Sequence, residues 1–375
     1  MSTYIDIHII QNLPPSCVNR DDSGSPKSAV YGGVRRLRVS SQSWKRAARL
    51  YFNDLLDADD VGVRTKRVVE VLASTIAKDA PELVENAAAL AEGVFKAAKI
   101  KLSPPRGKKD GPQESGYLLF LSTSQIARLA DLAIASARSG ETLDAKAVKK
   151  IFKEEHAVDI ALFGRMVADD TDLNVDAACQ VAHAISTHAA ENEYDFFTAV
   201  DDEKNRSEEE DAGAGMMGTV EFSSATMYRY ATVNLDMLVE NLGDGGAALR
   251  ALEVFIKGFC LSMPTGKQNT FANRTLPETI VISIRDDQPI SLVGAFEKPV
   301  PEASGTGYAD RSVGELARYA ETIEKNYGLR PLSSFVVALK DSDAVSSLGE
   351  RVPFADLPGR VRQVVDPRVG REERV

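Results

Sequence analysis

The first residues of the chain alternate in character. Ile5, Ile7 and Ile9 share one face of an extended segment, and Tyr4, Asp6, His8 and Ile10 share the other. A period of two over residues 3–11 predicts a half-buried strand. The next β-rich block begins only near Gly218, so this strand must find its partners across a long intervening segment. That requirement points to an α+β fold carrying a large insertion.

Between them, Ser40 or Ser41 is placed to cap a helix running to about Leu56. Trp44, Ala47, Ala48 and Tyr51 would face inward, with Lys45 and Arg49 four apart on the opposite side. The Pro/Gly/Ser-rich stretch Leu13 to Gly33 is too irregular for a regular element. After Gly218 the pattern predicts two strands within 218–235, a helix at about 246–262 and a strand at 278–284. With the insertion removed, the order is βαββαβ, that of a ferredoxin-like or RRM-like sheet. The insertion, 57–217, reads as mostly helical, with helices at Arg64–Lys78, Pro81–Lys99, Ser124–Arg138, Asp144–Glu155 and Val175–Ala190. Leu102 to Gly111 reads as a linker. Residues 191–217 hold ten acidic and two basic residues and end in glycines, which predicts a loop. A helix at 313–326, a strand at 333–340 and a frayed Arg-rich tail from Arg360 complete the expectation.

Charge supplies the functional clue. The net charge of the 375 residues is −10, yet Arg20 to Arg49 contains eight basic residues and two acidic ones. Arg20, Lys27, Arg35, Arg36, Arg38, Lys45, Arg46 and Arg49 form a positive island on an acidic background. Such a chain repels polyanions on average but holds a nucleic-acid backbone along one local track. Free amides at the start of the helix after Ser40 and the basic side chains along it suit the same phosphates. No run of 18 uncharged apolar residues exists, so no membrane partner is expected. The N-terminus lacks the basic start and apolar core of a signal peptide, and Cys17, Cys179 and Cys260 have no C-x-x-C pairing. The expectation is a cytoplasmic protein with reduced thiols, no structural zinc and no cofactor.

Several motifs weigh against chemistry. Gly213-Ala214-Gly215-Met216-Met217-Gly218 matches G-x-G-x-x-G, but follows four acidic residues and leads into a strand, the wrong context for pyrophosphate. Gly266-Lys267 is half a P-loop, either a plain turn or a set of amides and one lysine offered to a phosphate. His183 and His188, five apart on an expected helix, read as packed or capping residues, since zinc pairs usually stand four apart. The acidic run from Asp201 reads as solvated rather than as a two-metal site. Lys146, Lys149, Lys150 and Lys153 occupy one helical face opposite Val148, Ile151 and Phe152, either as a solvated surface or as a second polyanion contact. Phe196 and Phe197, in so polar a segment, need cover from a partner subunit, from stacked bases or from their own domain.

The segments S-C-V-N-R-D-D (16–22), G-G-V-R-R-L-R-V-S-S-Q-S-W-K-R-A (32–47), V-D-I-A-L-F-G-R-M (158–166), A-I-S-T-H (184–188), D-F-F-T-A-V-D-D (195–202) and E-F-S-S-A-T-M-Y-R-Y (221–230) resemble the CasC family, the backbone subunit of the type I-E CRISPR surveillance complex, Cascade. The resemblance runs from the first strand to about residue 300. It implies an RRM-like palm (1–56 and 218–345), a helical fingers domain (57–190) and a thumb loop (191–217), while residues 346–375 read as a C-terminal extension to which the resemblance assigns nothing. It implies that Arg20, Ser40, Gln42, Lys45, Arg46 and Arg49 grip guide phosphates and sugars, with Arg165 and Met166 beside the guide. Lys267 belongs to a segment that also matches. Phe196, Phe197 and Val200 match the thumb that wedges at a displaced nucleotide, and the lysine stripe matches a helix facing target duplex.

The implied partners are CRISPR RNA, target DNA, further copies of the chain and other Cascade subunits. The implied mechanism is binding without catalysis: pairing reads sequence, while the protein reads phosphate and shape. Two rivals remain open at this level. One is a metal-dependent ribonuclease of the type III backbone kind, in which Asp201 or Asp202 would act. The other is a solitary RRM-type protein that binds a few nucleotides as a monomer.

Overall fold

A computed structural model describes residues 2–105, 111–199 and 216–369. It is a mixed α+β structure built on one large sheet. The first strand, β1 (Tyr4–Ser16), extends past the alternating run. A hairpin of β2 (Ser28–Tyr31) and β3 (Val34–Val39) follows, where irregular chain was expected, and then helix α1 (Ser41–Phe52). The insertion starts with β4 (Gly62–Thr65), α2 (Val68–Asp79) and α3 (Ala87–Ala97). It continues through β5 (Leu119–Ser122), α4 (Thr123–Ser139), α5 (Ala145–Lys153) and α6 (Val158–Phe163). The chain then re-enters the sheet as β6 (Cys179–Val181) and β7 (Ala184–Ser186).

The segment 175–190 is therefore not a helix. Ile185 pairs with Tyr228 on one side and Arg38 on the other, and Val181 pairs with Ala231. Its backbone completes the sheet between distant segments, and that tertiary demand overrides a weak local helical preference.

The acidic segment is not simply a loop either. Its described part, β8 (Glu193–Ala199), forms an antiparallel ribbon with the start of β9 (Met216–Asn234). This strand is one continuous 19-residue run, where the pattern had predicted two. Its later part pairs with β1 from Leu13↔Ala225 to Tyr4↔Asn234. Helices α7 (Leu235–Leu242) and α8 (Gly245–Leu261) lead to β10 (Thr279–Arg285), which flanks β1 on its other edge. Helix α9 (Tyr308–Tyr327) and β11 (Ser333–Ala338) precede a short strand, β12 (Glu350–Arg351), and helix α10 (Leu357–Val365). The sheet runs β12-β11-β10-β1-β9-β7-β3-β2, with β6 and β8 also on β9.

Strand β1 is buried on both faces rather than one. Ile5, Ile7 and Ile9 pack with Phe52, Phe255 and Phe259 beneath α1 and α8. On the far face, Ile10 joins Tyr228, Val281 and Leu316, because α9 covers that side. Asp6 stays in this core by accepting from Tyr230 Oη at 2.9 Å and Ile290 N at 2.9 Å and by pairing with Arg285 Nε at 3.2 Å. The insertion has a separate core, centred on Leu72, Ile76, Phe95, Leu129 and Phe152. The tail from Arg360 is ordered as far as it is described: Leu357, Val361 and Val365 of α10 are fully buried, and Arg362 reaches Glu253 at 3.1 Å.

Candidate nucleic-acid interface

Helix α1 carries the candidate interface because its two faces differ. Trp44, Ala47, Ala48 and Phe52 are buried against the sheet. Gln42, Lys45, Arg46 and Arg49 emerge from the other side and line one wall of a groove of about 540 Å³. The facing wall comes from the insertion: Arg64 on β4, the segment Tyr117–Phe120, and the turn Phe163–Met166 after α6. Among the described residues, no carboxylate lines the groove. Lys45 Nζ lies 5.6 Å from the Phe163 ring centroid, and the Arg49 guanidinium lies 5.4 Å from that of Phe120. Aromatic faces thus support the cations from below and leave their outer sides to a ligand.

The electrostatics favour an anion. Burial lowers the Arg49 pKa, and nearby Arg64 and Arg46 lower it further, while Asp159 works against them. A phosphate chain would relieve that crowding. Asp159 is fully buried behind Arg49, and its carboxyl is pushed up to about 6 by burial, against the pull of Gly62 N–H and Arg49. Gly62 N–H donates to its Oδ1 at 2.9 Å, which ties β4 to α6.

Arg165 is engaged mostly within the insertion. It is 4% exposed and donates to the carbonyls of Leu173 (3.0 Å) and Phe152 (2.6 Å) and to Gln125 Oε1 (3.3 Å). Its guanidinium ties the insertion together, while the residue still lines the floor of the groove. Gly164, at φ +77°, makes the turn that buries it, and a Cβ there would lie 2.8 Å from the Val175 carbonyl. Met166, one residue on, is 78% exposed and lines the groove wall.

Arg36 likewise leaves the positive island. It is fully buried and donates to the carbonyls of Ser186 (2.9 Å) and Phe296 (2.8 Å). Ser40 occupies the N-cap position of α1 without a side-chain capping bond; its N–H instead donates to Asn19 Oδ1 at 2.8 Å. That bond ties the helix start to the loop bearing exposed Arg20. Lys267 is brought to the same loop. A Cβ on neighbouring Gly266 would lie 2.4 Å from the Val18 carbonyl, and both Arg20 and Lys267 act electrostatically on the Cys17 thiol.

The β8–β9 ribbon projects apolar side chains: Tyr194, Phe196 and Met217 are 68%, 65% and 66% exposed, and Phe197 is 37% exposed. Val200, Asp201, Asp202 and Gly213 to Gly215 lie outside the described residues; Gly218 sits within a strand, which is the context that argued against a dinucleotide site. On α5, Val148, Ile151 and Phe152 are buried and the lysine stripe faces out. Lys149 pairs with Asp170 and Lys150 approaches Glu154 at 3.8 Å, while Lys146 and Lys153 are exposed.

His183 and His188 are not on a helix. His183 Nδ1 meets Arg38 at 3.0 Å, and the His188 ring stacks on Tyr308 with centroids 3.7 Å apart. Among the described residues, no group of three or more His, Cys, Asp or Glu side chains is gathered for a metal. Cys17, Cys179 and Cys260 are buried and unbonded. Arg64 and Tyr117 were missed in the sequence, since nothing local distinguishes them and Arg64 was assigned to a helix.

Two solved chains resemble this one closely. A chain of a "CRISPR RNA-guided surveillance complex, pre-nicking" has 37% identity and a TM-score of 0.86, over 96% of this chain and 99% of that one. A chain of a "CRISPR RNA-guided surveillance complex" has 31% identity and a TM-score of 0.74, over 97% and 99%. No curated protein sequence matches. Residues 5–357 match the profile of the CT1975-like proteins. The resemblance to CRISPR backbone subunits read from the scattered segments is thereby borne out, and the chain belongs to the CT1975-like family.

Proposed function

We propose that this protein is the backbone subunit of a CRISPR RNA-guided surveillance complex of type I-E, gripping guide RNA without catalysing a reaction. The carrying observation is the groove between α1 and the insertion, where Lys45, Arg46, Arg49 and Arg64 converge and, among the described residues, no carboxylate lines the wall. Such a surface reads phosphate and shape and is blind to sequence, as a subunit presenting any guide to target DNA must be. The sheet order β10-β1-β9-β7, with α1 and α8 packed on one face, supports an RRM-like palm. The exposed Phe196 and Met217 on the β8–β9 ribbon suit a thumb that reaches a neighbouring copy along the guide. The acidic remainder discourages non-specific DNA binding by the free chain, and stacking joins the basic grooves of successive copies into one track.

Mass photometry of the protein purified with and without co-expressed CRISPR RNA, followed by nuclease digestion of the retained RNA, tests this. A multi-copy particle protecting a spacer-length RNA is expected. A monomer carrying no protected RNA would overturn the proposal.

A further inference from the structure

A second cleft, of about 270 Å³, lies on the other flank of α1. Arg46 and Asp54 line it from the helix side, and Ser262, Asn273 and Arg274 from the segment after α8. Arg46 lines the groove as well, so the helix is a wall common to both.

Three observations mark the cleft as built for a ligand. Ser262 and Asn273 are 4% and 2% exposed, yet the Ser262 hydroxyl and the Asn273 amide nitrogen have no hydrogen-bond partner among the described residues. Leaving a buried donor unmet costs about 1–3 kcal/mol, and native proteins rarely accept it without a use. The segment also holds two non-glycine residues in the left-handed region, Lys267 at φ 54° and Ala272 at φ 47°. Backbone strain of that kind concentrates at ligand clamps.

The third observation is the support and charge of the cleft wall. Arg229, 1% exposed, donates to Gln11 Oε1 at 2.5 Å and ion-pairs with no carboxylate among the described residues. Gln11 in turn donates to the Thr275 carbonyl at 3.0 Å, so Arg229, which also donates to the Phe259 carbonyl, anchors the segment that walls the cleft from behind. Asn273 contributes a donor and Arg46 and Arg274 contribute cations. Among the described residues, Asp54 is the one carboxylate lining the cleft, and it is solvent-exposed.

We propose that this cleft seats a phosphodiester group of the guide strand, held by Arg46 and Arg274 and hydrogen-bonded by Ser262 and Asn273, so that the strand crosses α1 from one flank to the other. The inference rests on the guide-binding reading above. Its test is the salt dependence of binding to a fluorescein-labelled CRISPR RNA, for the wild type, Lys45→Ala, Arg274→Gln and Asn273→Asp. Arg274→Gln alters an exposed side chain and leaves folding intact; a melting curve checks Asn273→Asp.

Arg274→Gln should reduce the slope of log Kd against log salt by about 0.7, one phosphate contact on a single strand. Asn273→Asp, which sets a carboxylate against the phosphate, should raise Kd about tenfold or more at fixed salt. If both variants bind like wild type while Lys45→Ala weakens binding, the cleft is not a guide site and the groove reading stands. A wild-type protein that binds no RNA would bring down the groove reading and this proposal together.

Discussion

The guanidinium carbon of Arg229, on β9, lies 3.7 Å from the ring centroid of Trp44, on α1. This stack, with Phe259 completing it at 4.6 Å, fastens the basic helix to the longest strand of the sheet. The orientation of Lys45, Arg46 and Arg49 follows from it, because a helix docked through Trp44 has to present the opposite face outward.

Trp44→Ala should lower stability by about 3–5 kcal/mol through the cavity left in the core and the loss of the stack. Urea unfolding measures this. A loss below about 1 kcal/mol would show that α1 is held by other contacts.

Charge reversal at Lys45 should weaken RNA binding and lower its salt slope with melting temperature unchanged. In an assembled particle the effect of Lys45→Glu should exceed one lost phosphate contact, since every copy carries it. Fluorescence anisotropy across a salt series tests both points. Equal affinities for wild type and variants would remove the groove from consideration.

Arg165 and Met166 should separate cleanly. Arg165→Ala leaves the carbonyls of Leu173 and Phe152 without their donor, so it should destabilise the insertion by about 3 kcal/mol or more. Met166→Ala, at an exposed position, should leave the melting temperature unchanged and affect RNA binding alone. An Arg165→Gln variant that melts like wild type but binds RNA weakly would restore Arg165 as a guide contact.

Asp159 sets one pH dependence. Burial raises its carboxyl from 3.8 to about 6, so between those values the folded chain holds a proton that the unfolded chain releases. Stability from this group is therefore greatest at low pH and falls as pH rises through 6. Asp159→Asn keeps an acceptor for Gly62 N–H and removes the titration. Its stability relative to wild type should rise by about 1–3 kcal/mol between pH 4 and pH 7. Parallel denaturation profiles across that range would contradict the assignment.

His8 acts in the opposite sense. Burial lowers it from 6.5 to about 3, so the unfolded chain takes up the proton first as pH falls, and stability is lost between pH 6.5 and pH 3. His8→Gln should flatten that acid limb in thermal melts. A limb unchanged from wild type would place the acid sensitivity elsewhere.

How much was legible in the residues follows from the range of the interactions involved. The alternation Ile5-Ile7-Ile9, the two faces of α1 and the stripe on α5 are local patterns, set by strand and helix geometry within a few residues. The matching segments likewise carried the family. What local pattern left undecided was where charge goes. Arg36 and Arg165 look like any other basic residue in the chain, yet both are buried, because backbone carbonyls brought together from distant segments needed donors. Residues 175–190 read as a helix and became strands because β9 and β3 had open edges to fill. Arg64 and Asn273 entered the two clefts beside α1 through contacts spanning much of the chain. Sequence by itself determined the elements whose causes are local and the family to which they belong. The tertiary structure decided which of its cations are buried as structure and which remain open to RNA, because burial and hydrogen-bond partners are properties of the assembled fold.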